Sequence, residues 1–233
     1  MTWVQTITGV AFDLKAPRAE DVRAVDIAHA LAYSCRFGGH TRAHYSVAQH
    51  SILVAALVWH RTNDPAARLL ALLHDAHEAF TGDLIQPMKQ MIVAYVGGAL
   101  RAIEGAVDSA IWRWANVTVN GALVAEVKRA DAAILLWERD RFLGRPPQPW
   151  VLDGKVDELV DADFGVAPGS ALLEAWRPEI AERAFNVAIR WCAPEVNESD
   201  VMVPAWLLHE LRAGLVLSRA RDVAGAGKEV HGG

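Results

Sequence analysis

The sequence predicts an all-α fold, and three observations predict it. Apolar residues recur at helical spacing through most of the chain. Gly, Pro, Asn and Asp fall between those stretches, where helices begin and end. Alternation of β-branched residues is confined to the first few positions.

The opening twenty residues carry that alternation (Val4, Thr6, Ile7, Thr8) together with Gly9 and Pro17, and read as a short hairpin or an extended arm. From Asp21 to Ser34, Val22, Val25, Ala28 and Ala32 follow a helical spacing; Cys35 to Thr41, with Gly38-Gly39, reads as a loop. Val47, His50, Val54 and Leu57 share one face of a helix starting near Tyr45. In the next helix Asp64 can cap and Pro65 occupies the first turn. That helix is expected to run to about Phe80 and to stop at Thr81-Gly82, with Gly82 in the usual C-terminal position.

Leu84 to Val96, Ala99 to Ala115 and Ala122 to Phe142 follow as helices, separated by Gly97-Gly98 and Asn120-Gly121. Arg145-Pro146-Pro147-Gln148-Pro149 ends the helical block. A mixed, acidic segment leads to about Gly169, and Ser170 to Trp191 and Pro204 to Val223 read as terminal helices. Trp150, Trp176, Trp191 and Trp206 are most simply core or subunit-interface residues. No internal repeat is present. The expected organisation is a single domain over residues 1–223, with a Gly-rich, flexible tail at 224–233.

A chain of 233 residues that is 52% hydrophobic and 22% charged can bury one substantial core. The net charge of −5, without a basic block, disfavours duplex DNA or RNA as the main ligand but leaves room for a local phosphate site. Two distant cysteines, Cys35 and Cys192, make no disulfide framework and suit a reducing compartment. Met1-Thr2-Trp3-Val4-Gln5 has no signal-peptide pattern. The longest stretch without Asp, Glu, Lys or Arg, Ala43 to His60, contains three histidines and makes a poor membrane span. A cytoplasmic location and no membrane partner are therefore expected.

The chemistry is concentrated at His74-Asp75, which ends the apolar run Leu69-Leu70-Ala71-Leu72-Leu73. A buried carboxylate costs several kcal/mol unless a cation or hydrogen bonds compensate it. An adjacent imidazole and carboxylate suit a borderline divalent metal. His50 lies on the stripe between Val47 and Val54, and Asp131 on the stripe Val124, Val127, Asp131, Ile134. Taken singly, each has an ordinary explanation, a hydrogen-bonded core histidine or a buried salt bridge with Lys128 or Arg129. Together they form the order His, His-Asp, Asp, with 23 residues between His50 and His74 and 55 between Asp75 and Asp131.

That pattern resembles the HD-domain phosphohydrolase superfamily. Tyr45-Ser46-Val47-Ala48-Gln49-His50-Ser51 is similar to the first-histidine helix of its bacterial 5′-deoxynucleotidase branch. So is Leu73-His74-Asp75-Ala76-His77-Glu78-Ala79-Phe80-Thr81-Gly82-Asp83-Leu84 with the following Gln86-Pro87-Met88-Lys89, and phage dATP triphosphohydrolases share these stretches. The likeness covers roughly residues 25 to 142, about half the chain.

The resemblance implies an HD-domain helical bundle holding one divalent transition metal (Co²⁺, Mn²⁺, Zn²⁺ or Fe²⁺) through His50, His74, Asp75 and Asp131. Such an ion brings a bound water toward ionisation near neutral pH and polarises a phosphoryl oxygen. It also implies catalytic roles for Glu78 and Asp83, orienting the nucleophile and donating a proton to the leaving group. The plain alternatives are a solvated helix-end carboxylate for Glu78 and a helix cap for Asp83. Arg36 would contact sugar or phosphate, Phe37 would stack on the base where relatives often carry Trp, and Lys89 and Lys128 would contact phosphate. His40, His44 and His77 read as loop histidines near the mouth of the site. Association into dimers or higher homo-oligomers is implied as well.

The function expected is hydrolysis of deoxynucleotides, with a small preference for a triphosphohydrolase acting on purine dNTPs because of Arg36, Lys89 and Lys128; further Mg²⁺ would accompany a triphosphate. The alternatives are a 5′-deoxynucleotidase acting on dNMPs and, from another class, a non-catalytic nucleotide-binding regulatory module. Absence of Gly-Tyr-Pro disfavours a cyclic-dinucleotide phosphodiesterase. A Ser-His-Asp hydrolase and a P-loop NTPase lack their glycine motifs here.

Overall fold

The computed structural model describes residues 1–155 and 174–192. The chain opens with a hairpin in which β1 (Trp3–Gln5) pairs antiparallel with β2 (Ala11–Asp13), Val4 opposite Phe12. Thr6 and Gly9 shape its loop: the Thr6 hydroxyl accepts from the Val10 N–H at 3.1 Å, and Gly9 takes a φ of 84°. Asp26 accepts from both the N–H and the hydroxyl of Thr8, at 3.0 and 2.8 Å. Phe12 is buried and stacks on Phe80 with ring centroids 3.8 Å apart, so the hairpin is pinned beside the segment that carries the site.

Helix α1 (Ala24–Tyr33) buries Ile27, Ala28, Leu31 and Ala32. A closed loop follows. Its two ends are tied by an antiparallel bridge between Cys35 and Ser46, with the Arg36 N–H donating to Tyr45 and the Val47 N–H to Ser34. Ser46 then caps α2 (Val47–Thr62), accepting from the Gln49 N–H at 3.1 Å. This helix is apolar nearly all round and sits at the centre of the fold, contacted by α1 and by α3 (Pro65–Leu72), as well as by α7 and α8, which come later in the chain. Asn63, in the left-handed region at φ 52°, closes it, and Asp64 caps α3 by accepting from the Ala66 N–H at 2.8 Å.

The continuous helix expected from Pro65 to Phe80 is interrupted. α3 ends at Leu72, and α4 is only Glu78–Thr81. Between them the backbone tightens: Ala76 donates to Leu73, and Glu78 to Asp75, three residues back. Neighbouring residues of an α-helix point about 100° apart, and across the tightened turn His74 Nε2 and Asp75 Oδ2 come within 3.2 Å of each other. Gly82 ends α4 at φ 81°, as the sequence predicts.

α5 (Gln86–Val96) begins two residues later than expected, because Pro87 is acceptable only in the first turn. It pairs with α6 (Ala99–Trp114) across Gly97-Gly98. Asn120 caps α7 (Gly121–Glu138) through the Leu123 N–H at 3.0 Å, and the chain continues into a wide turn at Arg139–Leu143. α8 (Pro178–Cys192) packs on α1, α2 and α3. Trp176, just before it, is buried in the core.

The described residues thus hold eight α-helices and one two-stranded sheet, an all-α architecture. Among them no helix is long and apolar enough to cross a membrane. The helix expected at Pro204–Val223, the tail at 224–233, Trp206 and the Trp191 side chain lie outside the described residues.

Candidate metal centre

Three elements bring the predicted ligands together: α2 carries His50, the tightened turn carries His74 and Asp75, and α7 carries Asp131. One donor atom from each of His50, His74 and Asp75 lies within 4.8 Å of the others. Asp75 Oδ2 is 3.2 Å from His74 Nε2 and 3.6 Å from His50 Nε2. Asp131 stands beside this trio with Oδ1 3.1 Å from His50 Nε2 and 3.9 Å from His74 Nε2.

Each imidazole is held by its other nitrogen. His50 Nδ1 donates to Glu138 at 2.7 Å, and His74 Nδ1 donates to the Ala71 carbonyl at 2.7 Å. Both rings therefore turn their Nε2 lone pairs inward, and the two Nε2 atoms stand 3.2 Å apart. Two lone pairs and two carboxylates in so small a space repel unless protons or a cation bridge them. With protons alone, burial works against the His74 imidazolium, yet Asp75 and Asp131 outweigh it and push its pKa up to about 9. Burial would likewise raise Asp75, but His74, His50 and Arg36 hold it well below the usual carboxylate range. Two nitrogen and two carboxylate donors fit a divalent transition metal, so the His50, His74 and Asp75 group could hold one.

Glu138 is the residue that the sequence reading missed. It is 0% exposed and accepts from His50 Nδ1, from the Tyr45 hydroxyl at 2.6 Å and from Arg36 Nε at 3.1 Å. Arg36 reaches it again through Nη2 at 3.1 Å, while its Nη1 lies 3.7 Å from Asp75. The signal was present in the spacing: Glu138 follows Asp131 by seven residues, two helical turns, and so lies on the same face of α7.

Glu78 opens α4 at the edge of the cluster and is 4% exposed. Burial, reinforced by Asp75 and Asp83, pushes its carboxyl up to about 7 against the pull of Lys89. Its Oε1 accepts from Lys89 Nζ at 3.1 Å, and its Oε2 is buried without a partner. Asp83 is no helix cap, since Ile85 holds the capping position of α5. Burial raises Asp83 above its ordinary value even with Arg36 nearby.

Of the two expected phosphate contacts, one is ion-paired among the described residues and the other is not. Lys89 is held between Glu78 and Glu104, 3.1 and 3.6 Å away, because α5 packs against α6 and brings Glu104 to it. Lys128 is exposed on α7 and makes no ion pair among the described residues. It is one turn from Asp131, but nothing opposes it there.

Phe37 adopts φ 57°, ψ 27°, unusual for a residue with a side chain, within the sharp turn at Arg36–Gly39. The Arg36 guanidinium lies 5.4 Å from its ring centroid, and the half-buried Trp150 is 6.5 Å away. Of the remaining histidines, His77 bonds Asp108 at 3.1 Å, His44 donates to the Ala32 carbonyl at 2.9 Å, and His40 is exposed. Among the described residues they form no second metal group.

No family model matches the chain. Over 95 residues it is 43% identical to an uncharacterized protein of Rhodobacter capsulatus; the match covers 39% of this chain and 48% of that protein, so the chain spans about half the length of this relative. Over 144 residues it is 33% identical to the uncharacterized protein YfdR of Escherichia coli (strain K12), and that match covers 62% of this chain and 74% of YfdR. With so much of YfdR's length shared at that identity, the chain belongs to the YfdR family.

Proposed function

We propose that the chain is a metal-dependent phosphohydrolase of deoxynucleotides, in keeping with the HD-domain resemblance. The observation that carries this reading is the convergence of His50 Nε2, His74 Nε2 and an Asp75 oxygen within 4.8 Å, with Asp131 alongside. Those four residues would hold the ion. When bound, it supplies Lewis acidity toward water and a phosphoryl oxygen. Glu78, with a proton affinity near neutrality and an unpartnered Oε2, holds or accepts a proton beside the cluster. Asp83 is the second carboxyl suited to proton transfer. A full ligand set with two such carboxyls favours catalysis over a degenerate regulatory module.

The charges near the cluster bear on the choice between the two substrates. Lys89 is offset by two carboxylates, and Arg36 by Glu138 and Asp75. Neither brings uncompensated charge to a triphosphate, but the exposed Lys128, one turn from Asp131, does, so a purine dNTP triphosphohydrolase and a 5′-deoxynucleotidase acting on dNMPs both stay open. Chromatography of products from dNMP and dNTP panels with Mn²⁺, Co²⁺ and Mg²⁺ tests this. Released phosphate supports the monophosphate reading and released triphosphate the other. No hydrolysis of either panel removes both. Glu78→Ala and Asp83→Ala are expected to keep the metal and lose roughly 10²–10⁴-fold in rate.

A further inference from the structure

Glu138 is a fully buried carboxylate on α7 that receives donors from three separate places in the chain. Oε1 accepts from the Tyr45 hydroxyl at 2.6 Å and from His50 Nδ1 at 2.7 Å; Oε2 accepts from Arg36 Nε and Nη2, each at 3.1 Å. Its four contacts use up the acceptor capacity that one carboxylate can direct at close neighbours. Two of the three donors belong to the site, for His50 faces the cluster through Nε2 and Arg36 reaches Asp75 at 3.7 Å. Tyr45 stacks on Phe142 with centroids 4.2 Å apart, which anchors the arrangement to the core.

We infer that Glu138 is a positioning residue that fixes the ring orientation of His50 and the guanidinium of Arg36 in a single grip. This inference rests on the metal reading proposed above. Without the carboxylate, nothing described beside His50 Nδ1 holds that nitrogen's proton in place, and the ring is free to present either nitrogen to the cluster. Loss of a partner of this kind typically weakens metal binding 10- to 100-fold.

Glu138→Gln alone would leave the half-buried Arg36 facing an amide N–H₂ and is prone to misfold. The informative variants therefore remove the guanidinium as well. In Arg36→Met with Glu138→Gln, the amide oxygen retains two lone pairs, enough for Tyr45 and His50. In Arg36→Met with Glu138→Leu, both donors lose their acceptor. Binding of Co²⁺ or Zn²⁺ alone is measured by calorimetry, with circular dichroism to establish folding. The Gln pair is expected within about threefold of a single Arg36→Met variant, and the Leu pair 10- to 100-fold weaker. Equal affinities in the two folded pairs overturn the inference. A second readout needs no variant: in chelated wild-type protein at pH 10, nitrogen-15 spectra should place the His50 ring proton on Nδ1. A proton on Nε2 overturns the inference even if metal binds. Failure of the wild type to bind any divalent ion overturns the metal reading itself, whatever the tautomer.

Discussion

Replacing Glu78 with Gln should change how the stability of the metal-free protein depends on pH. The carboxyl is 4% exposed, and burial, then Asp75 and Asp83, raise it from an ordinary 4.5 to about 7, while Lys89 at 3.1 Å pulls the other way. Because the folded-state value lies above the unfolded one, the folded protein binds the proton more tightly. The group's contribution is therefore fully present below pH 4.5 and is lost as pH rises through 7. At about 1.4 kcal/mol per pH unit, the loss approaches 3 kcal/mol by pH 8. Gln has the same shape and does not titrate; Lys89 keeps Glu104 at 3.6 Å. Urea unfolding with a chelator at pH 5, 6, 7 and 8 measures the difference between variant and wild type. It should grow in favour of Gln across that range by about 2–3 kcal/mol. Parallel profiles, with a difference constant to about 0.5 kcal/mol, would show that the folded protein does not raise the Glu78 carboxyl and would refute the reasoning.

Asp75→Ala should abolish stabilisation by Mn²⁺ or Co²⁺. In the wild type, a metal at a hundred times its dissociation constant adds about 2.7 kcal/mol, or roughly 5–11 °C in Tm for a chain of this size; an equal rise in the variant would remove Asp75 from the ligand set. Ser46→Ala should cost about 1 kcal/mol in denaturant unfolding through loss of the α2 cap, which is fully buried beside the Gln49 N–H. Phe37→Ala should weaken nucleotide binding roughly 5- to 150-fold, the equivalent of about 1–3 kcal/mol of stacking, while sparing a phosphoester that lacks a base. Equal loss on both substrates would make Phe37 a packing residue.

The sequence by itself determined the all-α architecture of the described residues, several of their helix ends and the chemistry available to them. Asp64, Asn120 and Gly82 sit at the helix ends where their side chains or φ angles predict them, because capping depends only on neighbours a few residues away. His50 and Asp131 were legible as ionisable residues on apolar stripes for the same local reason. Tertiary structure decided the rest. The break at Leu73–His77, from which His74 and Asp75 meet residues of α2 and α7, is not written in the local helical pattern. The pairing of Lys89 with Glu104 depends on the packing of α6 on α5. Glu138 looks like a charge at a helix end until folding brings Arg36, Tyr45 and His50 to it, from 102, 93 and 88 residues away. Periodicity reports which face of a helix is buried; it carries no information about which distant charge will be waiting on the other side, and at close range in a dry interior that partner decides what each ionisable group can do.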